Sequence, residues 1–219
     1  MHSPLVVSPL CAFGHVATYQ ELHELWGAES TVVPFRRLYG RRAVLWLRPN
    51  AYACAHLGDD ELLAARVGAH LDCVSVLSAA GSDSATRALA GSGAVHVRLA
   101  PNDGRASARR LAEPRPVVAH WSVPRNSPPD IAATHAAITS GGAPISRVSL
   151  PVPEALRQAL RSCLSPDDAV VVIAELLAIG ALGTDELACI VASSPRRVRA
   201  GLRHAGLAAD VVDALESFR

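Results

Sequence analysis

The sequence predicts an α+β fold. Three observations lead to it. The first 58 residues pattern as helix, turn and helix, followed at once by two strands. Strand-like stretches recur at 94–101 and 116–124. After Pro153 the patterning is helical. The expected organisation is an N-terminal domain over 1–58 and a mixed α/β to helical C-terminal domain over 59–219.

Thr18 opens "TYQEL", a Thr-x-x-Glu capping box closed by Glu21. Leu22, Leu25 and Trp26 then share one helical face, and Gly27 ends the helix. In "ESTVVPFRRLYG" Ser30 or Thr31 caps a second short helix. Its Pro34 is tolerable in the first turn, and Gly40 is its stop. "AVLWLR" and "AYACA" read as strands joined by Pro49-Asn50. Proline and then asparagine suit a type II turn, because asparagine tolerates positive φ. Helix, turn, helix and hairpin, in that order, make a winged helix-turn-helix.

Beyond residue 58, "DDELLAARVGAHL" has an acidic first turn that complements a helix dipole, and "VSVLSAAG" is a shorter helix. "AVHVRLAP" and "PVVAHWSVP" are the strands, separated by the loop "NDGRASARRLAEPR". "PEALRQALRSCL" is a helix. "SPDDAVVVIAELLAIG" is capped by Ser165, with Pro166 at its first position and Gly180 at its end. Thr184 caps "TDELACIVASS", and "PRRVRAGLRHAG" and "LAADVVDALESFR" complete a helical stack.

Composition narrows the function. The 21 basic residues are all arginine, so Schiff-base chemistry and a Walker-type phosphate loop are excluded. The start is too polar and proline-broken for a signal peptide, and no window reaches the length of a membrane span; a cytoplasmic protein is expected. The five cysteines, at 11, 54, 73, 163 and 189, are widely spaced and form no Cys-x-x-Cys. They fit neither a disulfide framework nor a zinc ribbon, and read as buried small hydrophobes.

Catalytic spacings are missing. There is no His-Glu-x-x-His, Gly-x-Ser-x-Gly or Gly-x-Gly-x-x-Gly. His56 follows Cys54 by two, which on a strand puts both on one face; chance accounts for that spacing better than a metal site. Asp167, Asp168 and Glu175 read as a charged helix N-terminus and one exposed helix position. The expectation is no catalysis, no metal and no cofactor.

The arginines carry the functional signal. From Ser30 to Gly58 there are five, Arg36, Arg37, Arg41, Arg42 and Arg48, and no acid. Residues 59–219 hold 16 basic and 17 acidic residues, so charge is segregated in a chain of net charge +1. Screening limits each charge to about 8–10 Å, so local charge governs phosphate contact. Arg36 and Arg37 ride on the second helix, Arg41 and Arg42 start the wing, and Arg48 lies at its tip. All five, with Ser30 and Thr31, would then meet one duplex. A solvated basic face or an acidic protein partner is the alternative. A second acid-free stretch, Leu187 to Ala209, puts Arg196, Arg199 and Arg203 on one helical face, with Val198, Leu202 and Ala205 on another.

"GHVATYQEL…STVVPFRRLYGRRAVLWLRPNAYA" resembles the N-terminal winged helix of AbiEi-type antitoxins of type IV toxin–antitoxin systems. Gly14, Val16, Ala17, Thr18, Leu22, Arg36, Arg37, Leu38, Gly40, Leu47, Arg48, Tyr52 and Ala53 carry it. Asn50 stands where the family has glycine. "VSVLSAAG" and "VHVRLAP" resemble later segments, and "LSPDDAVVVIAELLAIGALGTDEL" resembles the helical pair of versions that continue into a Vsr-like endonuclease. Glu216 and Ser217 match that continuation, but "ALESFR" carries no nuclease body. The family's aspartates in its middle and late helices are not at their places; Glu154 and Ala174 stand near them. The resemblance implies a DNA-binding regulator that represses its own operon, with double-stranded DNA and a cognate toxin as partners. A protein-interaction module that neutralises a toxin without DNA binding, or a shortened relative of the endonuclease, are the other readings.

Overall fold

The computed structural model describes residues 10–11, 14–26, 44–48, 51–99, 115–121 and 146–206; for Leu25, Trp26 and Arg48 it describes the backbone. Within these residues the protein is mixed α+β, with two small sheets and eight helices. It forms two compact units.

The first unit holds β1 (Val16–Thr18), α1 (Tyr19–Trp26), β2 (Val44–Arg48), β3 (Ala51–Cys54), α2 (Asp59–Arg66) and residues 146–149. The capping box forms as its residues predict. The backbone N–H of Thr18 donates to Glu21 Oε2 at 2.7 Å, and the N–H of Glu21 donates to Thr18 Oγ1 at 3.1 Å. The hairpin forms too. β1 and β2 both pair antiparallel with β3, giving the order β1–β3–β2. A register shift between Trp46 and Arg48 breaks the alternation: Leu47 is buried and Trp46 is 55% exposed.

The core of this unit is Ala17 and Leu22 against Val44, Leu47, Ala51 and Ala53, with Ala65 of α2 and Val148 closing it. The boundary expected at residue 58 therefore runs through one apolar cluster. The N-terminal signal of α2 is real, but the helix packs backward. Glu61 caps it, accepting from the Gly58 N–H at 3.0 Å.

The second unit holds the sheet β4–β5–β6, formed by β4 (His70–Leu71), β5 (Val95–Leu99) and β6 (Val117–Trp121). Its helices are α3 (Cys73–Ala79), α4 (Asp83–Ser92), α5 (Val152–Ser162), α6 (Pro166–Ala178), α7 (Thr184–Ala192) and α8 (Arg196–His204). α3 packs on α4 and α5, and α6 on α8. Leu71, Leu77, Leu156, Ile173, Leu176, Leu187, Ile190 and Leu202 are fully buried. Ser165 caps α6 as expected, accepting from the Asp168 N–H at 3.2 Å. Glu186 supplies the α7 cap from inside, and the helix starts one place earlier than expected, with Thr184 its first residue and Gly183 the N-cap.

α4 is the helix that the sequence reading leaves out. Its signals are present: Ser82 accepts from the Ala85 N–H at 3.1 Å, and Gly93 ends it at φ 64°. Glu175 is not the plain exposed position expected of it. It accepts from Ser82 Oγ at 2.6 Å, Ser84 Oγ at 2.7 Å and the Ser84 N–H at 3.0 Å, finishing the start of α4. No helix among the described residues is long and apolar enough to cross a membrane.

Candidate functional site

Most of the expected DNA-contacting residues, Ser30, Thr31, Arg36, Arg37, Arg41 and Arg42, lie outside the described residues, as do the Pro49-Asn50 turn, the second helix and the final helix. Arg48 ends β2, its backbone in register with Ala51. The second basic face is on α8. Arg196 and Arg203 are exposed there, and Leu202 is buried. Arg199 is engaged locally: its Nη1 donates to the Ala192 carbonyl at 3.0 Å, satisfying the C-terminal end of α7.

Sequence reasoning missed the tightest groupings of chemistry-bearing residues. Cys11, His15, Cys54 and His56 come together in the first unit, each with a ligand atom within 4.8 Å of the others'. The local fold explains how. The chain turns at Gly14 and His15, and the His15 N–H donates to the Leu10 carbonyl at 2.9 Å. The Cys54 N–H donates to the His15 carbonyl at 2.9 Å, which fastens this turn to the end of β3. Cys11 Sγ and Cys54 Sγ are then 3.6 Å apart, and the His15 and His56 rings meet edge to face at 5.2 Å. Burial, then the neighbouring His56, lowers the pKa of His15.

Cys73, His96, His120 and Cys163 form the second group, within the second unit and under the same 4.8 Å limit. Each comes from a different element: the start of α3, β5, β6 and the end of α5. Asp72 holds Cys73 in place, accepting from its N–H at 2.7 Å, while the Asp72 N–H donates to the His96 carbonyl at 3.0 Å. Asp72 is itself gripped by Arg98, with Nε 2.9 Å from Oδ2 and Nη2 3.2 Å from Oδ1. Burial raises the Asp72 carboxyl and the Arg98 charge opposes that rise. Arg98 Nη1 reaches Glu154 at 2.6 Å. The Ser75 hydroxyl accepts from the His96 N–H at 2.9 Å. His96 Nδ1 and His120 Nε2 are 3.1 Å apart, and Cys163 Sγ lies 3.6 and 3.5 Å from them. Gln158 Nε2 is 3.2 Å from His120 Nδ1. A hydrogen bond with Cys73 above all, and those with His120 and His96, push the Cys163 thiol down while the Cys73 thiol is raised.

These groupings change the reading of the cysteines. Cys54 and Cys73 are buried, but Cys11 and Cys163 are partly exposed and Cys189 is exposed. Four of the five are gathered with histidines. β3 ends at Cys54, so His56 lies in the turn that follows and the shared-strand argument for the pair does not hold. Two sulfur and two nitrogen donors could hold a metal at either place, with all four protein positions filled. No family model, curated protein or solved structure matches the chain.

Proposed function

We propose that the chain is a DNA-binding transcription regulator whose first unit docks on duplex DNA through a winged helix. The observation that carries this reading is the antiparallel order β1–β3–β2, with α1 following β1 and the β2–β3 hairpin coming later in the chain. A short strand ahead of the helices, paired to the second strand of the wing, braces a hairpin so that its turn can lie against a phosphate backbone. The acid-free run from Ser30 to Gly58, with its five arginines, supplies the charge on that side of the sequence. Arginine also offers two-pronged hydrogen bonding to phosphate.

The resemblance to AbiEi-type antitoxins adds the form of the regulator: a cytoplasmic repressor of its own operon that neutralises a cognate toxin. The exposed Arg196 and Arg203 on α8 are then the second basic contact.

Binding to a duplex from the gene's own upstream region, followed across salt concentrations, tests the reading. Each phosphate contact contributes a log–log slope of about 0.9. Replacing Arg41 and Arg42 by alanine is expected to flatten the slope by roughly two units. A wild-type chain without affinity for that duplex at low salt would end the proposal. Co-expression with the product of the adjoining gene tests neutralisation.

A further inference from the structure

We propose that each Cys2His2 group binds one zinc ion, so that the chain carries two closed structural zinc centres: Cys11, His15, Cys54 and His56 in one unit, Cys73, His96, His120 and Cys163 in the other.

The distances favour a metal. Zinc bonds of about 2.3 Å to sulfur and 2.0–2.1 Å to nitrogen set the edges of a regular tetrahedron. Those edges are about 3.8 Å for S···S, about 3.6 Å for S···N and about 3.3 Å for N···N. The Cys11–Cys54 separation is 3.6 Å, Cys163 lies 3.5 and 3.6 Å from the two ring nitrogens, and the His96–His120 nitrogens are 3.1 Å apart.

Hydrogen bonding alone accounts poorly for the second group. A ring nitrogen carries one N–H or one lone pair, in one direction. His96 Nδ1 nevertheless stands within bonding distance of both His120 Nε2 and Cys163 Sγ, and those two stand within bonding distance of each other. One central cation satisfies all three at once. With zinc on His120 Nε2, the Nδ1–H turns to the Gln158 amide, whose oxygen and nitrogen exchange by a half-turn.

Two further observations point the same way. His15 Nδ1 is a buried nitrogen with no hydrogen-bond partner, the single such side-chain atom among the described residues. It belongs to the first group, where a metal would satisfy it. Among the described residues two that are not glycine have positive φ, His15 at 77° and Cys73 at 53°. Each is a strained backbone position, and each is a donor, one per group. Strain of this kind persists where ligand geometry over-determines the backbone.

Zinc suits the donor set. Two thiolates and two neutral imidazoles leave the loaded centre without net charge, and the two thiol protons are released to solvent on binding. Four protein donors leave no open position, so the centres are structural.

The test is metal content of the full-length chain, purified under reducing conditions without chelator. Elemental analysis and native mass spectrometry are expected to give two zinc ions per chain. Cys11→Ser and Cys163→Ser are expected to hold one each, and Cys189→Ser two. Cobalt added to the stripped wild-type chain is expected to saturate at two equivalents with the intense visible bands of tetrahedral coordination. This last reading needs no variant and stands if a serine variant fails to fold. A wild-type stoichiometry of one or none, a Cys11–Cys54 disulfide in place of metal, weak octahedral cobalt bands, or a folded serine variant that keeps both ions overturns the proposal.

Discussion

Arg147 and Glu21 lie 126 positions apart in the sequence, yet Arg147 Nη2 donates to Glu21 Oε1 at 2.6 Å. Arg147 also donates from Nη1 to the Val16 carbonyl at 3.0 Å and from its backbone N–H to the Gly14 carbonyl at 2.9 Å. The same carboxylate closes the Thr18 capping box. Burial pushes the Glu21 carboxyl up, but the hydrogen bonds and charge of Arg147 and the bonds of Thr18 hold it below the usual range. A carboxylate depressed in the folded state stabilises above its ordinary pKa, and that stability is lost as pH falls through the folded value. Stability of the first unit is therefore expected to fall below about pH 4.5. Glu21→Gln should cost on the order of 2 kcal/mol at pH 7 for a half-buried charged hydrogen bond, and less at pH 3.5. Urea melts at the two pH values check this; an equal cost at both would contradict it.

Gly201 sits inside α8, where an added Cβ would lie 2.9 Å from Pro166 Cγ and 3.3 Å from Pro166 Cβ. Alanine would gain up to about 1 kcal/mol of helix propensity over glycine. Overpacking against a stiff ring costs about 1–3 kcal/mol, so the contact wins. Gly201→Ala is expected to lower the melting temperature by a few degrees, and a raised one would show that Pro166 gives way.

Glu175→Ala removes the acceptor for Ser82, Ser84 and the Ser84 N–H. Those hydrogen bonds hold the Glu175 carboxyl below its usual pKa. The side chain meets solvent, so the loss is set at about 1 kcal/mol, the scale of one helix cap. Hydrogen exchange should quicken at the Ser84 amide, with the α7 amides unchanged. Uniform protection in the variant would mean that Ser82 caps α4 alone.

If the two zinc centres are loaded, chelation should act on stability. Metal that binds the folded chain adds its binding free energy to folding. A chain of this size shifts by about 2–4 °C per kcal/mol, so stripping both ions should lower the melting temperature by tens of degrees. A melt that does not move on chelation, with metal loss verified, would show that the groups hold their shape unaided.

Local grammar was legible in the sequence; convergence was not. The Thr18–Glu21 box, the β2–β3 hairpin and the Ser165–Pro166 start of α6 each involve residues a few positions apart, so spacing exposes them. α4 was equally readable from Ser82 and Gly93, but its glycine- and serine-rich flanks masked it. The metal-ligating groups could not be read this way. Cys73, His96, His120 and Cys163 are gathered by a sheet and two helix ends, and no motif spans them. A hint existed in the pairs Cys11/His15 and Cys54/His56, two short Cys-to-His spacings in one small domain. Each is weak alone, and the backbone turn at His15 makes them one site.

The chain order of these contacts has a consequence for the clock of synthesis. The four residues of the first group have all been made once His56 is joined, but Arg147 and Val148, which fasten that unit, come 91 and 92 positions later. Between them the chain makes Cys73, His96 and His120. The second group then completes at Cys163, 16 positions after Arg147. At about 5–20 residues per second, the first unit waits for several seconds or more for Arg147 and Val148, and the last donor of the second group follows within roughly 1–3 seconds. The second unit still awaits α6, α7 and α8 at that point, so its donor group is complete well before its helices are.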